Sequence, residues 1–301
     1  MRHAATIGLL TAMVLGTGSA GAQTPDGALL TDYTRAVVGP PPPALGLDPF
    51  YQKATDAEGI IVVGSAQVPD LALLVARDIV NHMMAKRPDL RAAMVGQKMR
   101  VCVMAQSEST TDLPEQRDWK KPTPDDPRLT TDEREHYDER IGKLTDKQYW
   151  DRRARGMGGN PTSCAEENLL GYPGTRYFGE NILVHEFAHG IMDVGIRKAD
   201  PALRKEIRAA YDAAMAQGLW KGHYAATTVN EYWAEGTQTW FWSNYVFQDG
   251  AKRVMTPDDL RQYDPRLFEL LGRVYPDHRI PMDVYHAREL GPRSRPARPQ
   301  P

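Results

Sequence analysis

The chain has 301 residues, of which 41% are hydrophobic and 25% are charged, and its formal net charge is −2. These values are typical of an ordinary globular protein with one large domain or two small lobes. The net charge carries no information about partners, but nothing in the sequence resembles the basic surface that nucleic-acid binding demands, so no nucleic-acid partner is expected.

The first 22 residues have the pattern of an export signal. A charged start precedes an apolar run over 4–16, and small residues follow, ending in Ala20-Gly-Ala22. This pattern predicts a signal peptide over 1–22 that is cleaved before Gln23. The run is too short for a stable membrane anchor, and no second apolar segment of membrane length follows. We therefore expect a secreted or periplasmic protein that has no membrane partner after cleavage.

The N-terminal half predicts a small sheet. Residues 23–55 start rich in Pro, Gly and Ala and predict an extended arm, with a removable pro-segment as the alternative. A short apolar run predicts a buried strand over 59–64, and apolar residues at helical spacing predict a helix over 71–84. A second strand is predicted over 99–104. A strand, a helix and a strand in this order are how a mixed sheet with a backing helix begins.

The second half predicts mostly helices. Residues 107–160 are polar and broken by Pro and Gly, so they predict a solvated insertion with one helix over 131–142. Beyond Tyr177 the periodicity becomes helical. The helices are predicted over 180–194, 201–217, 229–245 and 260–274.

Cys102 and Cys164 are the two cysteines of the chain. In an oxidising compartment an isolated pair suggests one disulfide, which would close a long loop and tie the first half together. Two unpaired buried thiols are the alternative. Because the export signal favours an oxidising environment, we expect the disulfide.

The segment His185-Glu-Phe-Ala-His189 has the spacing of a zinc site on a helix. Residues four apart lie on one face, so the two imidazoles can converge on one ion with bonds of about 2.1 Å. Glu186 then faces the open side of the metal, where it can take a proton from a bound water whose pKa the ion has lowered towards 7. Apolar neighbours bury this helix nearly all round, and a metal removes the cost of burying these polar groups unpaired. The sequence therefore predicts one Zn²⁺ per chain, with Glu186 as general base.

A hydrolytic zinc site normally has a third protein ligand. Asp193 lies about 12 Å along the helix from the first histidine, which is too far for both to share one ion. Downstream, Glu231 and Glu235 share a face of an apolar, aromatic helix, so one can bind the ion while the other accepts a hydrogen bond from a ligand imidazole. Thr228-x-x-Glu231 also fits a capping box, which would give Glu231 a purely structural role. We take Glu231 as the ligand, with Glu235 and then His223 as alternatives.

The motif His185-Glu-Phe-Ala-His189, followed downstream by Tyr224 and Glu231-Tyr-Trp-Ala-Glu235, resembles the catalytic domain of anthrax lethal factor and its relatives, a gluzincin-type group of zinc peptidases. The resemblance covers about residues 180–245. It implies zinc on the two histidines and Glu231, with Glu235 bracing a histidine. This chain departs from the family in having Asn230 directly before the ligand and a Tyr-Trp pair where phenylalanines are usual.

The resemblance also implies that the hydroxyl of Tyr224 faces the scissile carbonyl. A phenol near the metal could donate a hydrogen bond to the developing oxyanion, which is the usual source of transition-state stabilisation in such sites. An ordinary buried aromatic residue is the alternative, and His223 could serve in place of the phenol.

A glycine-rich stretch over 155–168 precedes the metal helix, where zincins commonly place the strand that pairs with an extended substrate. Glycine there would let a substrate backbone approach closely. Three polar side chains that could line the cleft follow: Glu166, Glu167 and Asn168. A loop pinned by Cys164 is the alternative.

Together these patterns predict an α+β, zincin-like fold with a small mixed sheet in the N-terminal half, a mostly helical C-terminal half and the active-site helix between them. The metallopeptidase domain is predicted over 56–290 and a disordered tail over 291–301. The expected function is a secreted zinc endopeptidase acting on a peptide or protein. A zinc-containing binding protein without turnover and a zinc hydrolase of a non-peptide amide are the alternatives.

Overall fold

The structure is a computed structural model that describes residues 37–126, 129 and 131–280. The predicted signal peptide, the first part of the predicted arm and the predicted tail lie outside the described residues. No helix in the described part of the chain is both long and apolar enough to cross a bilayer.

A four-stranded mixed sheet forms the first half, in the order β1-β2-β3-β4. The first pair is antiparallel and the other two pairs are parallel. The strands are β1 Lys53–Ala57, β2 Ile60–Gly64, β3 Arg100–Met104 and β4 Thr162–Ala165. The structure confirms the predicted strands over 59–64 and 99–104, whereas the sequence did not predict β1 or β4.

The end of the predicted arm belongs to this sheet. Gly39 and Ala54 exchange two backbone hydrogen bonds, with N–O distances of 3.0 and 2.7 Å. Tyr51 is buried, and its hydroxyl contacts the sulfur of Cys102 at 3.2 Å. The ordered sheet therefore begins before residue 56, where the domain boundary was predicted.

Helix α1, Asp70–Met84, packs its apolar side against the sheet, as predicted. The chain then turns at Arg87 into α2, Pro88–Gly96. Pro88 therefore begins this second helix, because the first helical position has no backbone N–H partner to lose.

The predicted disulfide is wrong. Cys102 and Cys164 are free, buried thiols on the neighbouring strands β3 and β4. In the parallel register Cys164 pairs with Val103, and Cys102 pairs with Ser163. Successive side chains on a strand point to opposite faces, so the two sulfurs lie on opposite sides of the sheet and join different apolar clusters.

The insertion between β3 and β4 has a small core of its own, built from Leu129, Ile141, Leu144 and Tyr149. Its helices are α3 Thr131–Glu135, a π-helical turn Asp138–Gly142 and α4 Asp146–Arg153. Lys121 donates to three backbone carbonyls around this turn, at 2.6 to 3.1 Å. The segment is therefore packed against itself, whereas the sequence predicted a solvated insertion.

The second half is helical apart from one short hairpin. Its elements are α5 Glu166–Leu169, α6 Ile182–Gly190, a π-helical segment Ile191–Ile196, α7 Arg197–Ala199, α8 Pro201–Ala216, α9 Val229–Trp240, β5 Phe247–Asp249, β6 Lys252–Val254, α10 Pro257–Tyr263 and α11 Pro265–Val274. Short 3-10 turns lie at Pro43–Leu45, Thr110–Asp112 and Tyr224–Ala226. The chain thus has the expected α+β class, with the sheet in the first half and helices in the second.

Two predicted helices differ in extent from the observed ones. The helix predicted over 229–245 ends at Trp240, and Trp242 adopts a left-handed φ of 51° just after it. The helix predicted over 260–274 is two helices, because the Asp264 side chain caps the Leu267 N–H and Pro265 occupies the first position of the second helix. Both breaks occur at residues that commonly mark helix ends: a residue with a left-handed φ in the first case, and a capping side chain followed by a proline in the second.

Candidate metal centre

Helix α6 carries the two histidines, and it is fixed at its start by buried amide side chains. The Asn181 side chain accepts from the Val184 N–H at 3.1 Å, which caps the helix. Asn168 accepts from the Ile182 N–H at 2.8 Å and donates to the Glu180 carbonyl at 2.8 Å. Asn168 was predicted as a residue of the cleft, but its observed contacts hold the first turn of α6.

Helix α9 packs across α6 and brings Glu231 to the histidines. Glu231 Oε2 lies 3.0 Å from His185 Nε2 and 3.4 Å from His189 Nε2. The two Nε2 atoms are 3.2 Å apart. One donor atom from each of these residues lies within 4.8 Å of the other two, so they form a group that could hold a metal ion. It is the single such group of three among the described residues.

The capping alternative for Glu231 is half correct. Thr228 Oγ1 does accept from the Glu231 backbone N–H at 3.1 Å, so Thr228 caps α9. The Glu231 carboxylate, however, contacts His185 and His189. The cap therefore sets the start of the helix and leaves this carboxylate available to a metal.

The charges around the histidines favour a cation at their centre. Burial acts to lower the pKa of His185, but its hydrogen bond to Glu231 and the nearby carboxylates raise that pKa to about 10. Burial acts to raise the pKa of Glu231, yet the hydrogen bonds to the two histidines hold it well below its usual range. Two imidazoles and one carboxylate are the donor set of many zinc hydrolases, so the residues fit a divalent ion.

Glu186 lines the same cavity, which has a volume of about 430 Å³. Burial raises the pKa of its carboxyl group, and the adjacent His185 and His189 partly offset this. The Gly158 backbone N–H acts in the same direction as the histidines, because it favours the ionised carboxylate. A carboxylate that lines a cavity and has its pKa raised by burial is of the kind that can act as a general base.

Tyr224 lies beside His185. It begins the 3-10 turn ahead of α9, and it lines the cavity. Its ring is nearly parallel to the His185 ring, with centroids 6.4 Å apart. The structure thus brings the tyrosine of the predicted site to the histidines.

His223, the third candidate ligand, points elsewhere. Its Nδ1 accepts from the Ala225 N–H at 3.2 Å, and its ring packs against Trp220 and Phe247. Its Nε2 lies 3.8 Å from Glu235 Oε2. The group of donor atoms that could hold a metal does not include it.

Glu235 is buried beside His185 but is not its hydrogen-bond partner. Glu235 Oε1 lies 3.9 Å from His185 Nδ1, and Oε2 accepts from the Asn244 side chain at 2.6 Å. The partner is Gln238, whose Oε1 lies 2.9 Å from His185 Nδ1. Gln238 was not predicted in this role, although it lies on the same helical face, seven residues after Glu231.

Asp193 supports the site from the π-helical extension of α6. Its carboxylate accepts from Arg204 at 2.8 Å and from the Asn230 side chain at 2.9 Å. Asn230 thereby ties the start of α9 to the end of α6 and its π-helical extension.

The glycine-rich stretch forms one wall of the cavity through residues 155–159. Met157 exchanges two backbone hydrogen bonds with Ser163 on β4, at 3.2 and 2.9 Å. An alanine in place of Gly158 would bring its Cβ atom 2.6 Å from the His189 Cβ. Glycine at this position therefore lets the wall pack closely against α6. Glu167 instead pairs with Arg155 at 2.7 Å, and neither it nor Glu166 lines the cavity in the described structure.

Comparisons with known proteins leave the family open. No family model matches the sequence. No curated protein matches it either. Among solved structures, a Pro-Pro endopeptidase from Paenibacillus alvei is similar over 71% of this chain and 97% of its own, with 15% sequence identity and a TM-score of 0.44. This score is too low to establish a shared fold.

Proposed function

We propose that this protein is a zinc-dependent endopeptidase of the gluzincin type. The observation that carries the proposal is the meeting of His185, His189 and Glu231 around one point, with Glu186 on the wall of the same cavity. Two histidines four apart and a carboxylate from a second helix form a three-ligand set that leaves a position for water and substrate. A binding protein has no evident need for the acidic side chain beside that position.

The chain supplies a general base and an electrophilic side chain. Zn²⁺, when bound there, would polarise the scissile carbonyl and lower the pKa of a coordinated water towards 7. Glu186 takes a proton from the attacking water and passes it to the leaving amine nitrogen. The Tyr224 hydroxyl donates a hydrogen bond to the oxygen on which negative charge develops.

A peptide is the substrate that suits the cavity wall best. Residues 155–159 run beside β4, and their backbone lines the cavity next to the histidines. An extended peptide can hydrogen-bond to such an edge segment, which gives affinity that does not depend on its sequence. We also propose that the N-terminal segment directs export, so the substrate is met outside the cytoplasm.

Metal analysis and a protease assay on the purified mature protein test the proposal. We expect one zinc per chain, cleavage of casein, and loss of cleavage with a chelator that is restored by added Zn²⁺. The Glu186→Gln variant should keep its zinc and lose at least about 100-fold in rate, because a positioned base contributes 10²–10⁴-fold. Glu269→Gln, which alters an exposed carboxylate of α11, is the matched control and should cleave normally.

Two results would overturn parts of this proposal. Full casein cleavage by Glu186→Gln would remove Glu186 from the role of base. A zinc-loaded wild-type protein that cleaves neither casein nor a random peptide mixture would favour the binding-protein alternative, or a hydrolase of another amide.

A further inference from the structure

A buried glutamine on α9 contacts His185, one of the candidate metal ligands, at the ring nitrogen that does not face Glu231. Gln238 is completely buried and lies on the face of the helix that carries Glu231 and Glu235. Its Oε1 atom is 2.9 Å from His185 Nδ1, on the side of the ring away from the cavity. The other ring nitrogen of His185 faces Glu231 and His189.

The surroundings of Gln238 determine which way its amide points. The Nε2 atom donates to the Asn181 backbone carbonyl at 3.1 Å and lies 3.4 Å from a Glu180 carboxylate oxygen. The backbone carbonyl is an acceptor only, and an ionised carboxylate is one too. If the amide were turned over, its carbonyl oxygen would face those two acceptors without a proton between them. The amide oxygen therefore faces His185.

An oxygen acceptor at this distance requires a proton on His185 Nδ1. A neutral imidazole carries one proton, so its Nε2 atom then has a free lone pair. That lone pair points to the place where Glu231 and His189 meet. The contact therefore assigns coordination to Nε2, once a bound ion has displaced the proton that this nitrogen shares with Glu231.

We propose that Gln238 is a positioning residue that selects the Nδ1–H tautomer of His185 and thereby raises the affinity of the site for Zn²⁺. This inference rests on the metal centre of the proposed function and assigns the supporting role to a neutral amide. Glu235, the acidic neighbour, is engaged by Asn244 and lies 3.9 Å from the same nitrogen. Partners of this kind typically contribute a factor of 10 to 100 in metal affinity.

Zinc affinity measured by competition with a chelating dye tests the role of Gln238. Gln238→Leu removes the acceptor at similar size and should lower the affinity about 10- to 100-fold. Gln238→Glu keeps an oxygen acceptor and should bind zinc more tightly than the leucine variant. The matched control is Gln116→Leu. Gln116 is also buried, but it hydrogen-bonds Ser163 on the sheet face opposite α6, and its loss should leave zinc affinity unchanged.

Nitrogen-15 NMR of the zinc-loaded wild-type protein gives a second readout that needs no variant to fold. We expect a proton on His185 Nδ1 and coordination through Nε2. Coordination through Nδ1, or a folded Gln238→Leu protein that binds zinc as tightly as wild type, would overturn the inference. A wild-type protein that binds no zinc would overturn it together with the metal centre, whereas a zinc-loaded protein without peptidase activity would overturn only the proposed function.

Discussion

Tyr224 stands beside His185 because a 3-10 turn precedes α9 and places its first side chain over the cavity. If its hydroxyl stabilises the developing oxyanion, Tyr224→Phe should lower kcat by about 10²- to 10³-fold and change KM little. Steady-state kinetics on a fluorogenic peptide measures this. Tyr211→Phe is the control, since the Tyr211 hydroxyl donates to the Ala226 carbonyl in the same turn, at 2.9 Å. Equal losses in the two variants would mean that Tyr224 only supports the turn.

At the residue scale, the sequence predicted the candidate metal ligands better than the residues that hold those ligands in place. The spacing of His185 and His189 fixes their geometry on any helix, so the pattern alone places them on one face. Choosing between Glu235 and Gln238 as the partner of His185 requires the distance between α6 and α9 and their rotation. From the sequence, Glu235 was favoured as this partner because its side chain is charged. The observed packing of α6 and α9 instead brings the neutral Gln238 to the imidazole.

The wall over 155–159 and helix α6 are close enough for one added methyl group to matter. Gly158→Ala would place a Cβ 2.6 Å from the His189 Cβ, so the wall or the histidine must move. We expect a loss of about 1–3 kcal/mol in the free energy of unfolding, as for other overpacked sites, and weaker zinc binding. Urea unfolding and dye competition measure the two effects. Gly39→Ala, where no atom lies within 4 Å of the added Cβ, should change neither of them. Unchanged zinc binding in Gly158→Ala would contradict the close packing.

The start of α6 depends on Asn168, which lies on α5 and is 2% exposed. Asn168→Ala removes the acceptor of the buried Ile182 N–H and a donor to the Glu180 carbonyl, which costs about 1–3 kcal/mol in the free energy of unfolding. Urea denaturation measures this. Asn160→Ala removes one hydrogen bond from an exposed side chain, so its effect should stay within about 0.5 kcal/mol. A similar small effect for Asn168→Ala would show that α6 starts correctly without that anchor.

At the element scale, the sequence did not predict which strands pair with each other or where the short polar strands lie. The run Thr-Ser-Cys-Ala over 162–165 has neither apolar alternation nor β-branched density, so β4 could not be told from a loop. Its residues are buried because Cys164 packs into the cluster that contains α1 and α6, whereas Ala165 packs with Tyr51 and Leu113 on the other face of the sheet. By contrast, the apolar run of β2 and the periodicity of α1 carried their own signals. The break at Pro265 was visible in the sequence as a first-turn proline and was missed.

At the scale of the whole molecule, the register of β3 on β4 decides whether the chain is cross-linked. Cys164 lies opposite Val103, so a shift of one residue would be needed to bring the sulfurs to one face. The sequence supplied a predicted export signal and an even cysteine count but not this register. A domain of this size buries enough apolar surface to be stable without a covalent tie, unlike small secreted domains.

The native protein should therefore hold two unreactive thiols even in an oxidising compartment. Both are buried, and burial raises the pKa of Cys102 to about 12 and that of Cys164 above its usual range, so neither forms the thiolate that reacts. A thiol reagent should label neither residue in the folded protein and both after unfolding in guanidinium. The melting temperature should be the same with and without a reducing agent, because there is no cross-link to break. Protein purified from the exported fraction that shows no free thiols when unfolded, and melts lower once reduced, would contradict the observed register of β3 and β4.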